Sequence, residues 1–247
     1  MKADYTHLQV ILDRTGSMGS IRDDIIGGFN SFLEQQRHLP GQTTLTLVQF
    51  DSQDPYEILH HWRLIEQVPP LTTKTYVPRA STPLYDCLGQ GIEHLSEDLS
   101  GIPEPERPEQ VLMVIITDGK ENASRRYSRR RVQQMIQQKK AQGWQFVFLS
   151  ADLDAILDAE VDGVAYDSSL AFDKTGAGVD MAYRALSDEV RRTKTSADKK
   201  VAFSEEARRQ QKLEQERSQR RPKSQQPGSS TQDSQGNAPS SENQAEK

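Results

Sequence analysis

Asp13, Thr15 and Ser17 stand at alternate positions directly after a short apolar run, His7 to Leu12. A run of this kind reads as a buried strand, so the carboxylate and the two hydroxyls leave its carboxyl end together. In open α/β sheets that edge is where ligands bind. A second carboxylate, Asp118, follows the apolar run Val111 to Ile116 in the same way, and Thr82 stands between them in the chain, directly before Pro83. Only oxygen is on offer at these points. Hard oxygen donors suit Mg²⁺, with Mn²⁺ as the second choice, better than zinc or copper, which favour His and Cys. Two carboxylates would roughly cancel the charge of such an ion, leaving a position for one more anionic oxygen from another molecule. Each residue also has a plainer reading. Asp13 and Ser17 could cap the next helix, Thr82 could cap its own, and Asp118 before Gly119 could be an ordinary turn residue.

The elements that would position these residues follow from periodicity. Ile21, Ile25, Phe29 and Phe32/Leu33 recur at helical spacing, which predicts a helix over 20–38, with Gly27-Gly28 marking close packing on the sheet. Thr43 to Asp51 alternates as a strand. Tyr56 to Leu64 reads as an edge strand antiparallel to it, after the turn at Asp54-Pro55. A Pro- and Thr-rich loop, Val68 to Ser81, leads to Thr82-Pro83, and Leu84, Leu88, Ile92, Leu95 and Leu99 then mark a helix. Val111 to Ile116 is a continuous apolar run, expected of a parallel strand buried on both faces. Ser128 to Gln142 is a polar helix, Trp144 to Leu149 a buried strand, Leu153 to Ala159 a short helix, Gly163 to Tyr166 a last strand, and Val179 to Val190 a closing helix. Strands alternating with helices imply an α/β fold: a mostly parallel central sheet, one antiparallel edge strand, and helices on both faces.

Three motifs resemble the von Willebrand factor A domain and its metal-ion-dependent adhesion site (MIDAS). They are Leu12-Asp13-Arg14-Thr15-Gly16-Ser17-Met18, Ser81-Thr82-Pro83-Leu84-Tyr85-Asp86 and Ile116-Thr117-Asp118-Gly119. The family's first motif is Asp-x-Ser-x-Ser, and this chain has Thr15 in the first hydroxyl position, which keeps the oxygen. The resemblance covers roughly residues 5 to 190 and is nearest to the compact intracellular bacterial and phage members. It implies a Rossmann-like sheet with the ion at its top edge, held by Asp13, Thr15, Ser17, Thr82 and Asp118. It also implies a non-enzymatic role in which a partner's Asp or Glu completes the metal shell. An enzymatic alternative reads Asp13-Arg14-Thr15-Gly16-Ser17 as resembling the phosphorylation loop of haloacid-dehalogenase-like phosphotransferases, with Asp13 as the nucleophile.

Composition bounds the rest. The chain has 247 residues, an apolar fraction of 34% and a formal net charge of −5, which argues against nucleic acid as the main partner. Its single cysteine, Cys87, excludes an internal disulfide and reads as a small core side chain. His60 and His61 are adjacent on a strand, point to opposite faces, and could not share a metal. No run is long enough to span a bilayer and no signal peptide is evident, so a cytoplasmic location is expected. Arg125, Arg126 and Arg129, with Arg130 and Arg131, form a basic cluster. It is either a solvated face or a surface that steers an acidic partner to the ion. Three regions are expected: a domain over 1–195, a charged helical extension over 196–217 and a disordered tail over 218–247, where no large apolar side chain occurs.

Overall fold

A computed structural model describes residues 1–151, 168–196 and 199–220. The strands among these are β1 (Lys2–Asp13), β2 (Gln42–Phe50), β3 (Glu57–Leu64), β4 (Pro108–Thr117), β5 (Gln145–Ser150) and β6 (Ser169–Ala171). The helices are α1 (Arg22–Arg37), α2 (Leu84–Gly101), α3 (Arg129–Ala141), α4 (Gly176–Thr195) and α5 (Glu205–Arg220). The strands form one sheet in the order β3-β2-β1-β4-β5-β6. Every neighbouring pair is parallel except β2 and β3, the antiparallel edge.

Period-two alternation sorts the strand side chains to two faces. Leu8, Val10 and Leu12 of β1 and Leu112, Val114 and Ile116 of β4 join α1 and α4 in one core. Ile11 of β1 and Val111, Met113 and Ile115 of β4 join α2 and α3 in the other. The chain thus leaves β1 toward one face and reaches β4 from the other. The carboxyl ends of these two adjacent strands therefore lie at the switch point of the topology, where an open α/β sheet leaves a crevice.

Several elements differ from expectation. β1 begins at Lys2, because its first residues pair with the start of β4 across a register shift rather than through an apolar run. The expected 20–38 helix is present as α1, which starts two residues later because a 3₁₀ turn over Gly16–Ile21 precedes it. Gly28 does pack closely, but against the Tyr183 ring of α4 rather than the sheet: a Cβ there would lie 2.3 Å from Cδ2. Gly27 faces open space. The expected helix Leu153–Ala159 and strand Gly163–Tyr166 lie outside the described residues, and the last described strand is β6. The segment expected to be a solvated extension instead buries Val201 and Phe203 in the core beside α4. Gln145 fixes that segment at the start of β5, accepting from Val201 N–H (2.6 Å) and donating to Lys199 C=O (2.6 Å). Farther along, Gln211 of α5 is buried and donates to Gly178 C=O (3.0 Å). Cys87 and Trp144 are core side chains, as expected.

One buried polar group has a consequence for stability. His7 is fully enclosed, stacks on Trp62 with ring centroids 3.7 Å apart, and shares a 2.9 Å hydrogen bond with Thr44. Its Nε2 has no partner among the described residues. Burial, and secondarily the charge of His61, push its pKa down to about 3.

Because the folded pKa of His7 is depressed below its unfolded value, the unfolded chain takes up the extra proton. Its contribution is therefore lost as pH falls from about 6.5 toward 3, at up to about 1.4 kcal/mol per pH unit. Chemical denaturation at pH 7 and pH 4.5 should show a steeper loss for the wild type than for His7→Phe, which keeps the stacked ring; the difference between the slopes isolates His7. Gly28→Ala should cost roughly 1–3 kcal/mol by overpacking against Tyr183. Gly27→Ala should stabilise by up to about 1 kcal/mol in the same melts.

Candidate functional site

The five oxygen-bearing residues all lie at the switch-point crevice, held there by backbone contacts between three loops. Tyr76, fully buried in the loop before α2, donates its hydroxyl to Asp13 C=O (2.7 Å). Arg79 N–H bonds Arg14 C=O (2.8 Å), and Gly16 N–H bonds Ala80 C=O (3.0 Å). Ala80 adopts φ +59°, a left-handed conformation disfavoured for a residue with a Cβ, so the loop is held against a local strain. Thr82 is clamped through its backbone: its N–H bonds Asn122 Oδ1 (2.8 Å) and its C=O accepts from Asn122 N–H (3.1 Å).

That clamp fixes the α2 loop against the loop after β4. Ser17 donates its hydroxyl to Asp118 Oδ1 (2.6 Å) and lies 3.3 Å from Thr15 Oγ1. A Cβ on Gly119 would sit 3.7 Å from Ser17 Oγ and 3.8 Å from Thr82 Oγ1, so the two hydroxyls face one small space beside Asp118. The helix-cap reading of Thr82 does not hold: Pro83 is the N-cap of α2 and no side chain caps it. Thr15, at the N-cap of the 3₁₀ turn, likewise makes no capping bond. Asp13 is partly a turn residue, since its Oδ1 accepts from Thr15 N–H (2.7 Å), while Oδ2 accepts from the Thr117 hydroxyl (2.6 Å). With the side chain fully enclosed and a hydrogen bond on each oxygen, Asp13 is not exposed to an incoming phosphoryl group, against the phosphotransferase reading.

The electrostatics are unusual for a surface crevice. Burial pushes the Asp13 carboxyl up to about 6, despite its hydrogen bonds to Thr117 and Thr15. Asp118 Oδ2 is buried without a hydrogen-bond donor among the described residues, although Lys174 Nζ lies 2.9 Å away. An all-oxygen donor set with a poorly satisfied carboxylate fits a hard divalent cation. Asp13 would act through water or a small shift, because its side chain is fully enclosed. No group of three or more His, Cys, Asp or Glu side chains among the described residues is placed to hold a metal, so hydroxyls would have to supply much of the shell.

Several supporting residues were not legible in sequence. Asp51, at the carboxyl end of β2, accepts from Arg14 Nε (2.7 Å) and Arg79 Nε (2.9 Å), tying the first loop to the α2 loop. These bonds hold its carboxyl below the usual range although burial works the other way. Asp86 accepts the backbone N–H groups of Arg125, Arg126 and Tyr127 at 2.8–2.9 Å. Glu121 accepts from Tyr85, Ala123 and Ser124. The loop carrying the arginines is thereby pinned to the start of α2. Arg125 and Arg126 are exposed on it, and Arg125 lines a groove with Ser52, Pro55, Ser81, Pro83 and Asp86. Arg129 is half-buried at the first position of α3, outside that groove. Asp51 carried a signal that could have found it, since it follows a strand as Asp13 does.

The raised Asp13 pKa generates a stability test. A carboxyl whose folded pKa lies above its unfolded value favours the fold when protonated, and that contribution is lost as pH rises from about 4 through about 6. In chelator-treated protein at pH 7, Asp13→Asn should be more stable than wild type by about 1–3 kcal/mol, and by little at pH 4. Thermal melts at both pH values check this.

No protein-family model and no curated protein sequence matches the chain. Solved structures do. The pilus adhesin SpaC from Lactobacillus rhamnosus GG, in its open conformation, is 15% identical with a TM-score of 0.56, over 78% of this chain and 30% of that one. Proximal thread matrix protein 1 from the mussel byssus gives 15% identity and a TM-score of 0.52, over 76% of this chain and 48% of that one. A form of the same mussel protein described with a zinc-occupied MIDAS motif gives 13% and 0.50, over 75% and 45%. The chain thus spans less than half the length of each. No helix among the described residues is long and apolar enough to cross a membrane. With six strands among the described residues, one antiparallel edge and helices on both faces, the chain has the von Willebrand factor A fold.

Proposed function

We propose that this chain is a non-enzymatic protein-binding module that holds a divalent cation at the crevice and uses it to capture an acidic residue of a partner. Asp13, Thr15, Ser17, Thr82 and Asp118 hold the ion, Mg²⁺ in the first instance and Mn²⁺ as a substitute. The partner's Asp or Glu supplies the remaining anionic oxygen. The observation that carries the reading is the meeting of Ser17 Oγ, Thr82 Oγ1 and Asp118 from three separate loops around Gly119. A helix cap or a turn would need no such convergence. The mussel protein described with a zinc-occupied MIDAS motif shares the fold and supports a metal here, though it leaves the choice of ion to experiment.

When bound, the ion supplies a Lewis-acidic point that attracts a carboxylate. The chain's own residues do the rest. Thr117 and the Thr15 backbone orient Asp13, and the Asn122 clamp presents the Thr82 hydroxyl. Arg125 and Arg126, held by Asp86, add positive potential beside the groove and steer an acidic surface toward it. Arg129, outside the groove, contributes at longer range.

Calorimetric titration of the full chain with Mg²⁺ and Mn²⁺ should show one site. Ser17→Ala and Thr82→Ala should weaken it by at least about tenfold while leaving circular-dichroism melts near the wild type, since no core volume is lost. Partner captured from the native host on the immobilised chain should be released by EDTA. Reversing Arg125 and Arg126 to Glu should slow that capture without changing the metal titration. Absence of binding heat in the wild type, or unfolding of both alanine variants, would overturn the reading.

A further inference from the structure

We infer that Lys174 is a built-in counter-cation of the crevice: its ammonium neutralises Asp118 while the site is metal-free and must be displaced before a divalent ion loads. The inference rests on the metal-site reading above and adds to it a residue that sets the ion concentration at which loading occurs.

Lys174 Nζ lies 2.9 Å from Asp118 Oδ2; the aspartate side chain is fully buried, and the lysine side chain is 43% exposed. The contact is Coulombic, since that oxygen receives no hydrogen bond among the described residues. The other oxygen of Asp118 is taken by the Ser17 hydroxyl. A buried carboxylate without a counter-charge is costly, and a lysine on a short loop is a ready source of one.

The backbone that delivers Lys174 is fixed on both sides. Phe172 is buried in the core and its N–H bonds Ser150 C=O (2.9 Å). Thr175 caps α4, its hydroxyl accepting from Gly178 N–H (3.1 Å), and its own N–H bonds Asp173 C=O (2.7 Å). The ammonium therefore returns to the same place whenever the side chain swings in. Release needs no backbone change, because the four-carbon stem is flexible and already partly in solvent. A divalent ion carries twice the charge and gathers several oxygens at once, whereas the ammonium answers one carboxylate oxygen. Loading is thus an exchange of cations, and Lys174 acts as the intramolecular competitor.

The test compares wild type, Lys174→Met and Lys174→Arg by calorimetry with Mg²⁺ and Mn²⁺, and by thermal melts with EDTA or with Mg²⁺. Removing the charge should tighten ion binding by about tenfold. It should also lower the melting temperature in EDTA, because Asp118 loses its counter-charge, while enlarging the rise produced by Mg²⁺. Lys174→Arg should stay near the wild type. A merely structural lysine would lower the melting temperature in both conditions without tightening the ion. If the wild type binds the ion and Lys174→Met binds it no more tightly, the counter-cation role fails and the metal site stands. If the wild type does not bind but Lys174→Met does, the metal-dependent function of the native chain fails, while the competition between ammonium and ion is supported. If neither binds, both readings fail.

Discussion

Two adjacent parallel strands that send the chain to opposite faces of the sheet are the constraint on which the rest depends. β1 and β4 are paired along most of their length and buried on both sides, so their ends cannot drift apart. The loops that follow them are carried to one place by a core that was going to form in any case. Nothing local in Asp13 or Asp118 brings them together. Their proximity is a product of the register, in which Leu12 lies beside Ile116. The third loop is different, since no neighbouring strand positions it, and it is secured by polar contacts: Tyr76 to Asp13, Arg79 to Asp51, and Thr82 to Asn122.

This division explains what could be read in advance. The strands were legible because burial on both faces leaves a continuous apolar run, and the helices because one apolar stripe repeats at helical spacing. The oxygen-bearing residues were legible because they follow those runs at short, fixed offsets. Lys174 and the Asp86 and Glu121 clamps were not. Each acts on a residue distant in the chain, and its type alone looks like ordinary surface charge. Val201 and Phe203 were hidden for another reason: two apolar residues in a strongly polar stretch give no period, and only the folded core reveals what they pack against.

The carboxylates around the crevice follow a pattern of their own. Asp51, Asp86 and Glu121 are tied down by guanidinium or backbone N–H donors and serve to hold loops. Asp13 and Asp118 are less well answered: one carries a raised pKa, the other an oxygen with no hydrogen-bond donor among the described residues. Within one end of the sheet, carboxylates that fasten loops are thus distinct from the two that the proposed cation would use. That contrast separates scaffold from site more clearly than residue type does.

The placement of Val201 and Phe203 bears on where this protein can be cut. The shift to a polar composition suggests a boundary close to the end of α4, yet the two side chains and the Gln145 bonds make the next stretch part of the folded body. A chain shortened there would bare a greasy furrow along α4 and leave the Gln145 amide without its partners. It would be prone to self-association for reasons unrelated to the crevice at the other end of the sheet.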